Sequence, residues 1–375
     1  MVAQFSLPKK FVVCCYAFYI FYLYNRNVRS ILIQYYTKAK DYMEIVFVHQ
    51  FIHENAPADE RDVLEQRDEL AEIFIQMGYT ISSRSMQSQI DLILLQELAN
   101  KDCIVFNLCE SLFGRDDLLF LVPFMLEHYN IPFTGSGSMA LALSCHKLES
   151  KALMINNSIP TPKYITSSTQ YNDNLNGTYI IKPYNTHASI HITQDSVIRV
   201  HSKHDFDLLL DRLKTSHTLF AEEYIDGREF NISLMQTDEG VLILPHAEII
   251  FENYPPDMYK IVDYDAKWAH DSFAYEHTIR NFYFSEDDSP LLNEIDRLSL
   301  KVWELFSLNG YARIDYRIRG NEIFILEVNA NPCISIYSGF MAAVKQYGLS
   351  FQDALDIILK HPIKTNKINI CHETN

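Results

Sequence analysis

The spacing of apolar residues along this chain changes period in a regular order. Residues 43–49 contain EIVFVH, a run of the kind that forms a buried strand. In residues 62–77 apolar side chains recur at Val63, Leu64, Leu70, Ile73, Phe74 and Met77, which predicts an amphipathic helix stopped by Gly78. Residues 90–97 and 102–108 continue the alternation, with a strand at 103–106. A helix over 116–129, a short strand at 131–133 and a helix over 139–156, closed by Asn157 and Pro160, come next. Strands alternating with helices predict a parallel α/β sheet. Beyond it the pattern gives strands at 178–182, 190–192 and 197–200, a helix at 205–214 and a strand at 218–224. Strands at 229–235 and 241–245, a polar, aromatic loop at 253–273 and a helix at 290–308 follow. Two strand-like runs, ARIDYRI and EIFILEV, then flank a turn at Arg319, Gly320 and Asn321, and a last helix covers 350–361.

That final hairpin carries the first chemistry. Side chains two apart on a strand point the same way, so Glu327 and Asn329 share a face, and antiparallel pairing would set Asp315 beside them. Three oxygen ligands on rigid strands suit magnesium, a hard cation commonly shared with substrate phosphates. Arg313 lies two residues before Asp315 and shares its face. A buried cluster of Arg, Asp, Glu and Asn is costly unless paired or metal-bound. The competing reading is a row of acids on a solvated strand.

Composition narrows the class. The chain has 375 residues, 48% hydrophobic and 21% charged, enough for two or three domains with real cores. A formal charge of −16 argues against a nucleic-acid partner, though local basic groups can still hold a nucleotide. The seven cysteines (14, 15, 103, 109, 145, 333 and 371) have no metal-type spacing, and an odd count in a large chain favours reduced thiols and a cytoplasmic protein. The first 42 residues differ from the rest: an aromatic apolar run at 11–24 between Lys9, Lys10 and Arg26, Arg29. It is short for a span, which needs about 20 residues, so a membrane role is not expected. A weak anchor, a tail packed on the body and an extension upstream of a natural start at Met43 compete; the third is favoured because a buried-type strand begins there at once.

From about residue 43 to 359 the motifs together resemble the ATP-grasp superfamily, and within it the D-alanine–D-alanine ligase family. IPFTGS (131–136) with Lys147 and Lys151 is similar to the start of that family's central domain. YIIKPYNTHASIHI (179–192) is similar to its phosphate-covering loop, FAEEYIDGREF (220–230) to its adenine hinge and ribose acid, and VDYDAKW (262–268) to its lysine loop. The hairpin resembles its metal site. The resemblance implies an ATP-grasp fold, α/β overall and α+β in the ATP-binding part, behind an N-terminal parallel α/β domain. The expected division is 1–42 extension, 43–142 N-terminal domain, 143–225 central subdomain, 226–365 C-terminal catalytic subdomain and 366–375 polar tail.

The resemblance also implies roles. Lys147 and Lys182 would take ATP's phosphates as point charges, and Ser189 would offer its hydroxyl and N–H toward the γ-phosphate. Glu222, Glu223, Tyr224 and Ile225 would form the hinge, with Ile180, Ile192, Ile225 and Leu326 around adenine, Glu229 on the ribose and Lys267 closing over the phosphates. Arg313 would stabilise an oxyanion. Asp315, Glu327 and Asn329 would hold two Mg2+ (or Mn2+) ions, and Ser338 would meet a product carboxylate. Against each role stands a plainer one: surface lysine, turn serine, exposed acid, or for Arg313 a structural partner of Asp315. The implied partners are ATP and a small amino-acid or peptide substrate, with a homodimer as the assembly the family suggests.

Departures gather at the amino-acid end. The family's Ser-x-Glu-x-Glu-Val-Ser signature is replaced by HQFIHENAPADERDVLEQ (49–66), where Asp59, Glu60 and Asp62 are substitutes that do not fit the motif. Thr186, His187, Ala188 and His191 stand where Glu, Gly, Ser and Gly are usual. Trp268 replaces a tyrosine and Cys333 a glycine. The expectation is a carboxylate–amine ligase acting through an acyl phosphate on a different amino acid, peptide or small carboxylate. A true D-alanine–D-alanine ligase, a catalytically silent ATP-binding regulatory module and an ATP-grasp kinase are the alternatives.

Overall fold

The computed structural model describes residues 43–86, 92–187 and 189–364. The expectations for the extension, the polar tail, Ala188, Cys14, Cys15 and Cys371 lie outside them, as do residues 90 and 91 of the 90–97 segment. The chain begins with β1 (Glu44–Gln50), α1 (Ala58–Gln76), β2 (Thr80–Met86), α2 (Leu92–Ala99) and β3 (Cys103–Asn107). These strands form a parallel sheet in the order β2-β1-β3, extended by a parallel bridge between Val105 and Phe133. Ile45, Val46, Phe47 and Val48 of β1 and Cys103, Ile104, Val105 and Phe106 of β3 are apolar and buried on both faces, as a strand covered by helices must be. β2 was not expected: TISSRSM is polar because it is an edge strand, paired on one side only.

Next come α3 (Leu121–His128), α4 (Ser138–Cys145) and α5 (Lys147–Asn156). The helix expected over 116–129 is a 3-10 turn at Asp116–Leu118 followed by α3. The helix expected over 139–156 is broken at His146, whose backbone is extended at φ −107°, ψ 91°, which re-aims Lys147. The central sheet contains β4 (Tyr164–Ile165), β5 (Gly177–Pro183), β6 (Val197–Val200) and, after α6 (Lys203–Leu213), β7 (Leu219–Glu223), in the antiparallel order β4-β7-β5-β6. No strand forms at 190–192: Ser189 and His191 sit at φ +60° and +62°, a left-handed turn that strand pairing cannot use.

The larger antiparallel sheet is built from β8 (Arg228–Thr237), β9 (Gly240–Ile243), β10 (Ala247–Phe251), β11 (Thr278–Asn281), β12 (Tyr311–Arg319) and β13 (Glu322–Asn329). Its order is β11-β10-β8-β12-β13, with β9 on β8. Between β10 and β11 lie α7 (Tyr264–Trp268), inside what the sequence presented as a loop over 253–273, and α8 (Phe273–Glu276), which begins at its end. α9 (Ser289–Leu305), α10 (Gly339–Tyr347) and α11 (Phe351–Lys360) complete the fold. One face of this sheet is core: Phe230, Ile232 and Leu234 of β8 and Ala312, Ile314, Tyr316 and Ile318 of β12 pack with α9, α4 and α5. The last two helices instead pack with β1, α1 and β3, tying both ends of the described chain together. Among the described residues no helix is long and apolar enough to cross a membrane.

Candidate active site

The other face of the large sheet is polar, and alternation explains why. With the even-numbered residues of β12 in the core, Arg313, Asp315 and Arg317 must face the opposite way. On β8 the same logic turns Glu229 and Asn231 toward them. Register then pairs Arg317 with Glu229 and Asp315 with Asn231. Arg317 Nη2 lies 2.6 Å from Glu229 Oε2, and Asn231 Nδ2 donates to Asp315 Oδ1 at 2.8 Å.

On β13 simple alternation would fail. Ile323 and Ile325 are core, as is Val328, so the inward parity switches between 325 and 328. The switch is a bulge: Asp315 pairs with Glu327 but Tyr316 pairs with Ile325, leaving Leu326 without an opposite residue. This extra residue puts Glu327 and Asn329 on the polar face beside Asp315 and Arg313. The hairpin reading is met in its faces, while the bulge that produces them was not legible.

The contacts here are dense. Arg313 donates to both oxygens of Asp315, at 2.8 and 2.9 Å, and Asn329 Nδ2 donates to Asp315 Oδ2 at 3.1 Å. Glu327 Oε1 is 3.2 Å from both Lys147 Nζ and His187 Nδ1. Burial alone would raise the Glu327 pKa, but Lys147, His187 and Lys267 outweigh it and hold the carboxyl well below its usual range. Lys267, from α7, overhangs this face: burial and the Arg313 charge lower its pKa, opposed by Glu327, Asp315 and Glu229. Asp315, Glu327 and the Asn329 carbonyl oxygen, which its amide donation to Asp315 leaves free to accept, are a hard-oxygen donor set that fits a divalent cation. In this conformation both carboxylates are paired to basic groups, and among the described residues no three His, Cys, Asp or Glu side chains are arranged as a metal cage.

The opposite wall is the central sheet. β5 buries Tyr179, Ile181 and Pro183, which turns Ile180 and Lys182 toward the cleft. Lys182 pairs with Glu222, and Glu222 also pairs with Lys151, whose ammonium donates to Thr161 Oγ1 at 2.7 Å. Glu222 is thus committed to two lysines. Glu223 reaches Arg319 at 2.7 Å. Of the hinge amides, those of Glu223 and Tyr224 donate within the protein, to Lys163 O and Thr178 O, both at 2.8 Å. Ile225 is buried, and its carbonyl accepts from Arg317. Lys147, Lys182, His187, Ser189, Ile192 and Glu327 line a cleft of about 40 Å³ between the two sheets. That is room for little more than a water.

Two expected residues make structural hydrogen bonds. The Ser189 hydroxyl donates to Val262 O at 2.8 Å, so it braces a loop. Ser338 caps α10, accepting from Met341 N at 3.2 Å. Asn231, Arg317 and His187 were not singled out as site residues. The i+2 rule from Glu229 and Asp315 would have found the first two, and nothing in the sequence signals His187's contact with Glu327.

Comparison with known proteins agrees with this architecture. Residues 161–360, 200 of the 375, match the family described as D-ala D-ala ligase C-terminus. The D-alanine–D-alanine ligase of Carboxydothermus hydrogenoformans is 28% identical over 80% of this chain and 94% of its own length. That of Aquifex aeolicus is 25% identical over 80% and 96%. Among solved structures, the D-alanine–D-alanine ligase of Bacillus anthracis complexed with ATP superposes with a TM-score of 0.63 at 18% identity, covering 85% of this chain and 96% of that one. The VanG D-Ala:D-Ser ligase of Enterococcus faecalis gives 0.59 at 17% identity, over 85% and 98%; at such identities these two carry the fold alone. With a parallel N-terminal sheet, two antiparallel sheets around a cleft and a family match over half its length, the chain belongs to the D-alanine–D-alanine ligase family of ATP-grasp carbon–nitrogen ligases.

Proposed function

We propose that this chain joins a carboxylate to an amine by way of an acyl phosphate, on an acid–amine pair other than two D-alanines. The observation that supports the chemistry is the cluster of Arg313, Asp315, Glu327 and Asn329 on one sheet face, with Lys147 3.2 Å from Glu327. Lys147, Lys182 and Lys267 position the triphosphate, Glu229 takes the ribose, the 222–225 hinge with Ile180, Ile192 and Leu326 holds the adenine, and Ser189 backs the phosphate strip. Asp315, Glu327 and Asn329 would hold two Mg2+ or Mn2+ ions, which neutralise charge on the phosphate oxygens. The acid's carboxylate oxygen attacks the γ-phosphorus and ADP leaves. The amine nitrogen then attacks the activated carbonyl, Arg313 holds the resulting oxyanion, and inorganic phosphate departs. The cleft excludes water, which would otherwise hydrolyse the acyl phosphate.

The substrate reading rests on the acidic wall near Cys333. Of the three substitutes for the missing signature glutamate, Asp59 is taken by Tyr264, while Asp62 is partly buried with Cys333 Sγ 3.7 Å away. Burial raises the Asp62 pKa. D-Alanine as the sole substrate is the second reading, favoured by the relatives that bear that name. In this proposal residues 43–142 contribute the acid's pocket, 143–225 the nucleotide wall and 226–365 the reacting face, in a cytoplasmic homodimer.

Purified protein with MgATP, assayed for ADP and for amide, tests the reading. ADP with D-alanine alone supports the second reading, and ADP with another amino-acid or dipeptide pair supports the first. A phosphorylated acid without amide indicates a kinase. ATP binding with no turnover across the panel overturns the ligase in favour of a silent module.

A further inference from the structure

The nucleoside end of the cleft is built over a buried arginine. Arg317 is 4% exposed and its partner Glu229 7%. Besides the 2.6 Å contact with Glu229 Oε2, the guanidinium donates to three backbone carbonyls: Gly227 O at 3.0 Å, Ile225 O at 3.5 Å and Lys260 O. Its central carbon lies 5.3 Å from the Phe251 ring centre and 5.9 Å from that of Tyr224, a hinge residue.

The backbone after the hinge is pressed onto this arginine's strand. A Cβ on Gly227 would stand 1.8 Å from Ile318 O, so only glycine lets the chain cross β12 beside Arg317. The other acids of the hinge are committed, Glu222 to Lys151 and Lys182, and Glu223 to Arg319. Glu229 differs: Arg317 holds its Oε2, and no donor among the described residues sits on its Oε1. Burial raises the Glu229 pKa, with the Arg317 charge the main opposing influence. Arginine is the residue type this arrangement needs. A planar fork bonds a carboxylate and hinge carbonyls at once, where an ammonium is a single point charge.

We propose that Arg317 is a positioning residue for nucleoside selectivity: its guanidinium fixes Glu229 against the hinge, so that the carboxylate accepts from the ribose 2′- and 3′-hydroxyls and the site distinguishes ribonucleotides from deoxy forms. The proposal rests on the nucleotide placement proposed above. Arg317 touches no part of the nucleotide in this reading. It acts through Glu229, which loses both its orientation and its counter-charge when the fork is removed.

Calorimetric titration of the full chain with the Mg2+ complexes of ADP, 2′-deoxy-ADP and 3′-deoxy-ADP tests this without the acid or the amine. The parent should bind ADP about tenfold more tightly than either deoxy form, one hydrogen bond to a charged acceptor in each case. Arg317→Met should narrow that ratio to about threefold or less, by weakening ADP more than either deoxy form. Glu229→Gln should narrow it likewise, and the double variant should narrow it no further, because the two side chains act as one unit. Arg317→Lys, which keeps a cation but not the fork, should also lose discrimination; a lysine that keeps it in full overturns the positioning role, and reads it even where the methionine variant does not fold. Equal weakening of all three ligands by Arg317→Met marks a purely structural arginine and overturns the proposal. If Glu229→Gln narrows the ratio and Arg317→Met does not, the ribose placement stands and the role of Arg317 falls. If the parent does not discriminate, or binds none of the three, the nucleotide placement itself is wrong and the proposal falls with it.

Discussion

Arg313 lies two residues up the same strand from Asp315 and donates to both of its carboxylate oxygens, at 2.8 and 2.9 Å. The proposed oxyanion cation and the proposed metal acid are therefore one bonded unit. Their substitutions should differ in kind. Arg313→Ala is expected to lower kcat by roughly 10²–10³-fold, as loss of an oxyanion donor does, with KM for ATP little changed. Asp315→Asn should raise KM for MgATP as well, because it removes metal charge and frees the guanidinium. Steady-state kinetics against ATP separates the two patterns.

Lys151 is 1% exposed and shares Glu222 with Lys182. Glu222 is the one acid between these two lysines, so Glu222→Leu leaves both ammoniums without that counter-charge and should destabilise the fold by roughly 3 kcal/mol. Adding Lys151→Met, which removes the more deeply buried ammonium, should recover part of that loss if the cost is stranded charge, as urea unfolding would reveal.

Glu110 has a pKa pushed up from 4.5 to about 8, by burial first and then by Asp62 and Asp116. Below pH 4.5 the carboxyl is protonated folded or unfolded, and it costs nothing. Between 4.5 and 8 the unfolded chain releases the proton first, so stability falls as pH rises, then levels above 8. Glu110→Gln should abolish this slope, melting higher than the parent at pH 8.5 and close to it at pH 4.5.

The Leu326 bulge makes a sharper demand on length than on side chain. Leu326→Ala keeps the extra residue and should retain ligation within about tenfold. Inserting one alanine between Glu327 and Val328 should abolish MgATP turnover and lower the melting temperature, because alternation then turns Val328 out of the core and Asn329 into it, an effect on the order of 2–3 kcal/mol. Calorimetry beside an ADP assay distinguishes the two variants.

Much of this site was legible because a strand's period of two is written in its residues. Arg313, Asp315, Glu327 and Asn329 could be placed on one face, and the ordered motifs named the family. Register was not legible: parity changes inside EIFILEV without any compositional sign, since Leu326 is as apolar as its neighbours. The supposed strand at 190–192 misled for a related reason. Ile190 and Ile192 alternate with His191, yet Ser189 and His191 occupy left-handed backbone. The hydrogen bond from Tyr264 to Asp59 was hidden because the two are 205 residues apart and ordinary in their local context.

The extra residue at Leu326 also constrains how this hairpin can be transplanted. Along one continuous strand the odd-numbered residues face the hydrophobic interior before Leu326 and the polar cleft after it, with a single added peptide unit as the crossover. Counting positions from the turn at Gly320 therefore assigns the far half to the wrong side. A graft or a redesigned sheet that keeps Leu326 but pairs every residue in plain alternation would carry every charged group and turn Glu327 and Asn329 toward the interior.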